Sequence, residues 1–172
     1  MVTKVPEDLQ QWLCLAKKIT EKLDVDYRVL LALIWKECEQ DLNNPCLTRF
    51  EKYYQYFWHP TKKALWRGNL SRKQNREIAE NLLGHEEFIF QSTSWGLCQL
   101  MGAVARELGY AGSPKSLCDP DVNIFIGCLH LSNILKRAHG DYKMALTRYN
   151  NSVEYAVEVL RRTAILEEEW EI

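Results

Sequence analysis

One carboxylate sits where an acid is least welcome. In the run LLALIWKE that ends at Glu37, Leu30, Leu31, Leu33 and Ile34 form a segment fit for burial. At helical spacing Glu37 lies three residues after Ile34, four after Leu33 and seven after Leu30, so it shares their apolar face. Glu39 and Asp41 fall at other angles. Desolvation disfavours the charged form of such a group and raises its pKa. A carboxyl that keeps its proton near neutral pH can protonate a leaving oxygen, which is the task of a general acid. The spacing also suits a structural role, in which the carboxylate reaches a helix-end amide or pairs with an arginine.

Three other stretches carry residues able to bind or react. SWGLCQLMGAVARELGY, from Ser94 to Tyr110, has a serine, a glycine at 96 that opens a helix, and Gln99 three residues later. Glycine at 96 suits close approach of backbone to a ligand. ALTRYNNS, residues 145–152, places Tyr149 and Asn150 near the C-terminus. RFEKYYQYFW, residues 49–58, offers Glu51 as a second carboxylate, whose plainer role is an ion pair with Arg49 or a lysine. Trp58, Trp66 and Trp95 present flat apolar rings that fit the C–H side of a pyranose and fit core packing equally well. Lys62, Lys63, Arg67, Arg72, Lys73 and Arg76 gather into a basic stretch. It reads either as a solvated face or as a patch that meets an anionic polymer.

The elements that must position these residues are helical almost throughout. Pro6 opens an amphipathic stretch with Leu9, Trp12, Leu13, Ala16 and Ile19 at threes and fours. Asp24 or Asp26 caps the helix that ends in Glu37, and Pro45 closes that segment because it disfavours helix at Asn44. Residues 47–70 read as aromatic and irregular. Ser71 starts a helix through Ile78 and Leu82 that Gly84 terminates. EFIF at 87–90 reads as a small strand. Leu97 to Leu108 reads as a helix closed by Gly109. Asp119 with Pro120 opens a long helix ending near Gly140, Asp141 opens a shorter one, and a last helix covers about Val153 to Leu166. No internal repeat, linker or domain boundary interrupts the chain. The expectation is a single, mainly α domain over residues 1–172 with a possible small β element.

Composition narrows the function. The chain has 172 residues, 47% hydrophobic and 26% charged, with a net charge of −1. That balance argues against a nucleic-acid partner, and no recognition helix is basic. No apolar run is long enough for membrane insertion. The N-terminus MVTKVPEDLQQWL lacks the apolar core of a signal peptide, so synthesis in the cytoplasm without export is expected. The six cysteines, at 14, 38, 46, 98, 118 and 128, form no C-x-x-C, and all are expected as thiols. The scattered histidines at 59, 85, 130 and 139 give no zinc motif, and no metal or other cofactor is expected.

Taken together, Glu37-Cys38, Gly96-Leu97-Cys98-Gln99 and Arg148-Tyr149-Asn150 resemble the three ordered motifs of the lytic transglycosylases of the soluble-transglycosylase, goose-lysozyme-like type. In particular they look like the phage and prophage versions. That family carries Glu-Ser at the end of an apolar helix, Gly-Leu-Met-Gln at a helix start and Ala-Tyr-Asn towards its end. The stretch from Cys118 to Leu146 also looks like the family's helix hairpin. The resemblance covers about residues 25–157, with an insert at about 46–91.

The resemblance implies a lysozyme-like fold and a peptidoglycan glycan strand as partner, with the protein favoured as a monomer. It implies Glu37 as the sole acid and base, Tyr149 as its orienting phenol, and a 1,6-anhydro product. Ser94, Trp95, Gly96, Leu97, Cys98, Gln99 and Asn150 would line the sugar groove with Cys38, and Glu51 matches an Arg-Phe-Glu of the phage-type relatives. The alternatives are a hydrolytic muramidase of the same fold and an inactive wall-binding phage module. Four departures stand out: Cys38 for serine, Cys98 for methionine, Arg148 for alanine and Ser152 for glycine. Without a signal peptide, the wall would be reached through a holin, a phage particle or host lysis.

Overall fold

The computed structural model describes residues 4–59, 61–66 and 71–170. Helices dominate them, and the chain packs as two compact units, residues 1–44 with 124–172 and residues 45–123.

The first unit is all helical. A 3-10 turn at Glu7–Trp12 leads into α1 (Leu13–Leu23), whose buried side holds Leu13, Ala16, Ile19 and Thr20. Helix α2 (Tyr27–Glu37) starts at Asp26, whose carboxylate accepts from the Arg28 amide and whose own N–H donates to the Tyr142 hydroxyl, 2.7 Å away. Every residue from Val29 to Trp35 is buried, so α2 is the core helix of this unit. The other helices are α7 (Tyr142–Asn150), capped by Asp141, α8 (Val153–Glu169), capped by Ser152, and the part of α6 (Pro120–Arg137) from Ile124 onward. Helix α8 packs on both α2 and α7.

The second unit begins at Pro45, where the insert begins. Strands β1 (Thr48–Phe50), β4 (Thr93–Trp95) and β5 (Leu100–Met101) make an antiparallel sheet in the order β1-β4-β5, with Arg49 opposite Ser94 and Trp95 opposite Leu100. Strands β2 (Phe57–His59) and β3 (Ala64–Trp66) form a separate antiparallel pair. The stretch expected to be irregular therefore holds three short strands. Helix α3 (Arg72–Leu83) opens with a capping box between Ser71 and Gln74, which satisfies two otherwise orphaned amides. Beneath it, Phe57, Ala79 and Phe88 form a small core, with the two phenylalanine rings stacked at 5.4 Å.

Three expectations are corrected. EFIF is not a strand. It lies in α4 (His85–Gln91), where Glu86 and Glu87 occupy the first turn and favour helix through its dipole, while Phe88, Phe90 and Gln91 are buried. The helix expected over 97–108 is shorter. Gly96 and Gln99 both have left-handed backbone, so residues 96–99 turn, Leu100–Met101 pair with β4, and α5 spans only Gly102–Glu107. Gly102 is where α5 meets α4, since a Cβ there would lie 2.1 Å from the Phe90 carbonyl oxygen. Finally, the six cysteines are not all thiols. Cys46 and Cys118 form a disulfide inside the second unit, near its two chain ends. Their positions 72 residues apart carry no sequence signature of pairing. Cys14, Cys38, Cys98 and Cys128 are thiols. Burial pushes the thiol pKa of Cys38 and of Cys128 up to about 12, with the charges of Glu37 and Asp41 adding to the effect at Cys38.

Candidate active site

In the first unit the chemistry gathers at the C-terminal end of α2. Glu37 is its last residue and is half-buried. Its Oε1 accepts a hydrogen bond from the Tyr155 hydroxyl at 2.7 Å. Tyr155 is buried and stands in the first turn of α8, where its own amide donates to Ser152 Oγ at 3.1 Å. Ser152, the departure from glycine, is thus the cap that fixes the turn carrying the phenol. Tyr149 stacks on Tyr155, with ring centroids 6.5 Å apart and planes 5° apart, and its ring also lies 5.2 Å from that of His130. Burial and the nearby positive charge of Arg137 push the His130 pKa down to about 4, so the imidazole beside Tyr149 is neutral at neutral pH.

Tyr155 was not singled out by the motifs, which pointed to Tyr149. A buried phenol in the first turn after a Ser cap leaves only a faint trace in sequence. Arg148, the departure from alanine, is exposed and donates to the Arg137 carbonyl at 3.1 Å, at the end of α6. Asn150 is the exposed last residue of α7.

The end of α2 is held by a second residue that the motifs missed. Arg162 of α8 is only 1% exposed. Its Nη1 donates to the Trp35 carbonyl at 2.9 Å, its Nε donates to Glu158 at 2.9 Å, and its Nη2 lies 3.2 Å from Glu39. The guanidinium also covers the Trp35 ring at 4.9 Å. The last carbonyls of a helix lack intrahelical partners and carry its negative dipole end, so a buried cation there is doubly favoured. Arg161 and then Arg162 hold the Glu158 carboxyl down to about 2 against the opposing effect of burial. Cys38, the residue after Glu37, is the C-cap, with its amide on the Ile34 carbonyl and its side chain buried.

In the second unit the matched segment Ser94–Gln99 forms the tip of β4 and the turn after it. Its geometry is over-determined. Gly96 has φ +66°, and a Cβ there would lie 2.4 Å from the Asn123 amide nitrogen. Asn123, at the start of α6, donates to the Trp95 and Leu117 carbonyls and accepts from the Cys98 amide. From the opposite side the Leu47 carbonyl accepts from Gly96 N–H at 2.7 Å and from Gln99 Nε2 at 3.1 Å. Gln99 itself holds a left-handed φ of 43°, a conformation a side-chain-bearing residue adopts only under constraint. Its carboxamide accepts from Ser94 Oγ at 2.8 Å and donates to the Gly96 carbonyl at 2.9 Å.

Gln99 therefore serves as the brace of the turn. Ser94, Leu97 and Cys98 are buried, and Trp95 is half-buried, with its indole N–H on the Phe90 carbonyl. Glu51 extends the β1–β4 ladder through its amide, and its carboxylate pairs with Arg49. Trp58 is half-buried in this unit, and the side chain of Trp66 and the whole of Arg67 lie outside the described residues.

Among the described residues no cluster of three or more His, Cys, Asp or Glu could hold a metal ion, and no helix is long and apolar enough to cross a membrane.

Comparison with known proteins gives one family. The model of the transglycosylase SLT domain matches residues 74–168, more than half of the chain. The match takes in the Gly96–Gln99 turn, Tyr149, Asn150, Tyr155 and Arg162; α2 and Glu37 lie N-terminal to it. No curated protein and no solved structure matches the chain. With that match spanning both the braced turn and the α7–α8 pair that meets the acid, the chain belongs to the transglycosylase SLT domain family, the lysozyme-like lytic transglycosylases of peptidoglycan.

Proposed function

We propose that this chain cleaves the β-1,4 bond between N-acetylmuramic acid and N-acetylglucosamine without consuming water, with Glu37 as both acid and base. The observation that carries the reading is the 2.7 Å hydrogen bond from the Tyr155 hydroxyl to Glu37 at the half-buried end of α2. Glu37 enters as the neutral acid and gives its proton to the glycosidic oxygen as the bond from that oxygen to muramyl C1 breaks. The carboxylate left behind is stabilised by the phenol, because a hydrogen bond to the charged form favours it. The same carboxylate then takes the proton of the muramyl C6 hydroxyl as that oxygen closes on C1. The products are a 1,6-anhydro muramyl end and a free hydroxyl on the glucosamine, and Glu37 is again protonated. One carboxyl suffices, whereas glycoside hydrolysis normally uses two.

Tyr149 keeps the Tyr155 ring in place by stacking, and Asn150, Trp95 and the backbone of the Gly96–Gln99 turn contact sugars. Glu51, already paired with Arg49, is auxiliary. The wall lies outside the cytoplasm, where the Cys46–Cys118 disulfide persists, and release through a holin, a phage particle or host lysis would bring the enzyme there.

Glu37→Gln tests the assignment. General acid–base catalysis contributes about 10²- to 10⁴-fold, so the variant should clear a sacculus suspension at under about a hundredth of the wild-type rate, with an unchanged far-UV spectrum. A folded variant that clears at more than about a tenth of that rate would remove Glu37 from the mechanism.

A further inference from the structure

The second unit carries an exposed surface that the reaction does not use. Strand β1 is exposed at all three residues, and Phe50, Tyr53 and Tyr56 leave 47%, 63% and 42% of their surfaces open. Three large aromatics exposed within seven residues are unusual for a surface without a partner. Cations lie against these rings. Lys52 Nζ is 4.8 Å and the Arg72 guanidinium 5.7 Å from the Tyr53 centroid, and the Arg76 guanidinium is 5.5 Å from that of Phe50. Arg76 is fixed by hydrogen bonds to the Tyr54 and Glu51 carbonyls. The carboxylates on the same segments are already engaged, Glu51 with Arg49, Glu77 with Lys73 and Glu80 with His85. The surface is therefore aromatic and net positive. It is also continuous with the Gly96–Gln99 turn proposed to contact sugar, because β1 pairs with β4 and Thr48 lies opposite Trp95. Phe50 stands two residues further along β1, about 7 Å at the rise of an antiparallel strand.

We propose that Tyr53, Lys52 and Arg72, with Phe50 beside them, form a subsite for the peptide stem of the muramyl residue, the cations meeting its free carboxylates and the rings its apolar side chains. This rests on the reading of the chain as a peptidoglycan-cleaving enzyme. The glycan backbone itself is uncharged, so the stem carboxylates are the anionic groups that the substrate brings to such a surface. Cations poised on aromatic faces are a favourable place to receive them.

The test compares wild type with the Lys52→Ala/Arg72→Ala double variant and with Tyr53→Ala on two substrates, intact sacculi and glycan strands stripped of stems by an amidase, the lactyl carboxylates so freed being capped as methylamides. In parallel, binding of a soluble stem-bearing muropeptide is measured in the Glu37→Gln background. The expected result is a fall of about tenfold in kcat/KM on stem-bearing material, the worth of one or two charge-assisted contacts, with rates on stripped strands unchanged. Muropeptide affinity should weaken to a similar degree and lose much of its salt dependence. Equal losses on both substrates, no loss on either, or unchanged muropeptide binding would each overturn the subsite. So would retention of the patch-dependent binding by a wall phosphate polymer in place of the stem. Should the wild type cleave neither substrate, the enzymatic reading fails by itself, and the muropeptide measurement still decides whether the patch binds stems.

Discussion

At the scale of single residues, the hydrogen bond between Tyr155 and Glu37 is the contact on which the proposed turnover depends. Tyr155→Phe removes the hydroxyl and keeps the ring that stacks on Tyr149. Hydrogen bonds to charged groups are worth about 1.5–3 kcal/mol, so kcat should fall roughly 10- to 100-fold with little change in KM. Turnover on purified sacculi checks this, and a variant within about twofold of wild type would mean that the phenol does not act on Glu37. Glu37 was legible because an acid on an apolar stripe stands out from its helical neighbours. The same signal marks Arg162, which lies on the stripe formed by Tyr155, Ala156, Val159, Thr163 and Leu166. Of the two, only Glu37 was read from the sequence; that Arg162 ties the helix carrying it to α8 shows only in the packing. Tyr155 was hidden because a tyrosine facing a core is ordinary, and only the packing of α8 on α2 gives its hydroxyl an acid to meet.

At the scale of elements, the caps were the most readable features. Asp26, Ser71, Asp119 and Asp141 all stand where a short polar side chain can take an orphaned amide, and each does so. Boundaries failed where tertiary contacts override local pattern. EFIF is a short aromatic, β-branched run of the kind strands use, yet it forms helix, because Phe88 packs on Phe57 while Phe90 packs on Trp95. The turn at 96–99 interrupts a helical pattern because Asn123 and the Leu47 carbonyl hold it from two sides, and neither is near it in sequence. Between α2 and α8, Arg162 is the tie. Arg162→Met should destabilise the fold by about 1–3 kcal/mol, because it takes this donor from the Trp35 carbonyl and leaves Glu158 to Arg161 alone. Arg162→Lys should recover only part of this, since a single ammonium cannot reproduce a planar fork of donors. Urea unfolding of the two variants measures the difference, and equal stabilities for Met and Arg would show that the clamp contributes nothing.

At the scale of the whole molecule, composition and periodicity carried the mainly helical class, and the ordered motifs carried the family. The disulfide was beyond reach of both, since pairing across 72 residues depends on where the chain folds back. It ties Cys46, the neighbour of Leu47, to Cys118, the neighbour of Leu117, and the carbonyls of those two neighbours take part in bracing the Gly96–Gln99 turn. Cys46→Ser should therefore lower stability by about 2–4 kcal/mol, read from the urea midpoint, while Cys14→Ser, at an exposed thiol, should leave it unchanged. An unshifted midpoint for Cys46→Ser would mean that the bond does not form in solution. The central claim, that Glu37 cleaves the glycan strand without water, is tested most directly by the mass of the muropeptides that the wild-type enzyme releases from purified sacculi. The expected products carry the 1,6-anhydro ring and are lighter by one water than hydrolysed counterparts; products with reducing ends would contradict the claim and make the enzyme a muramidase.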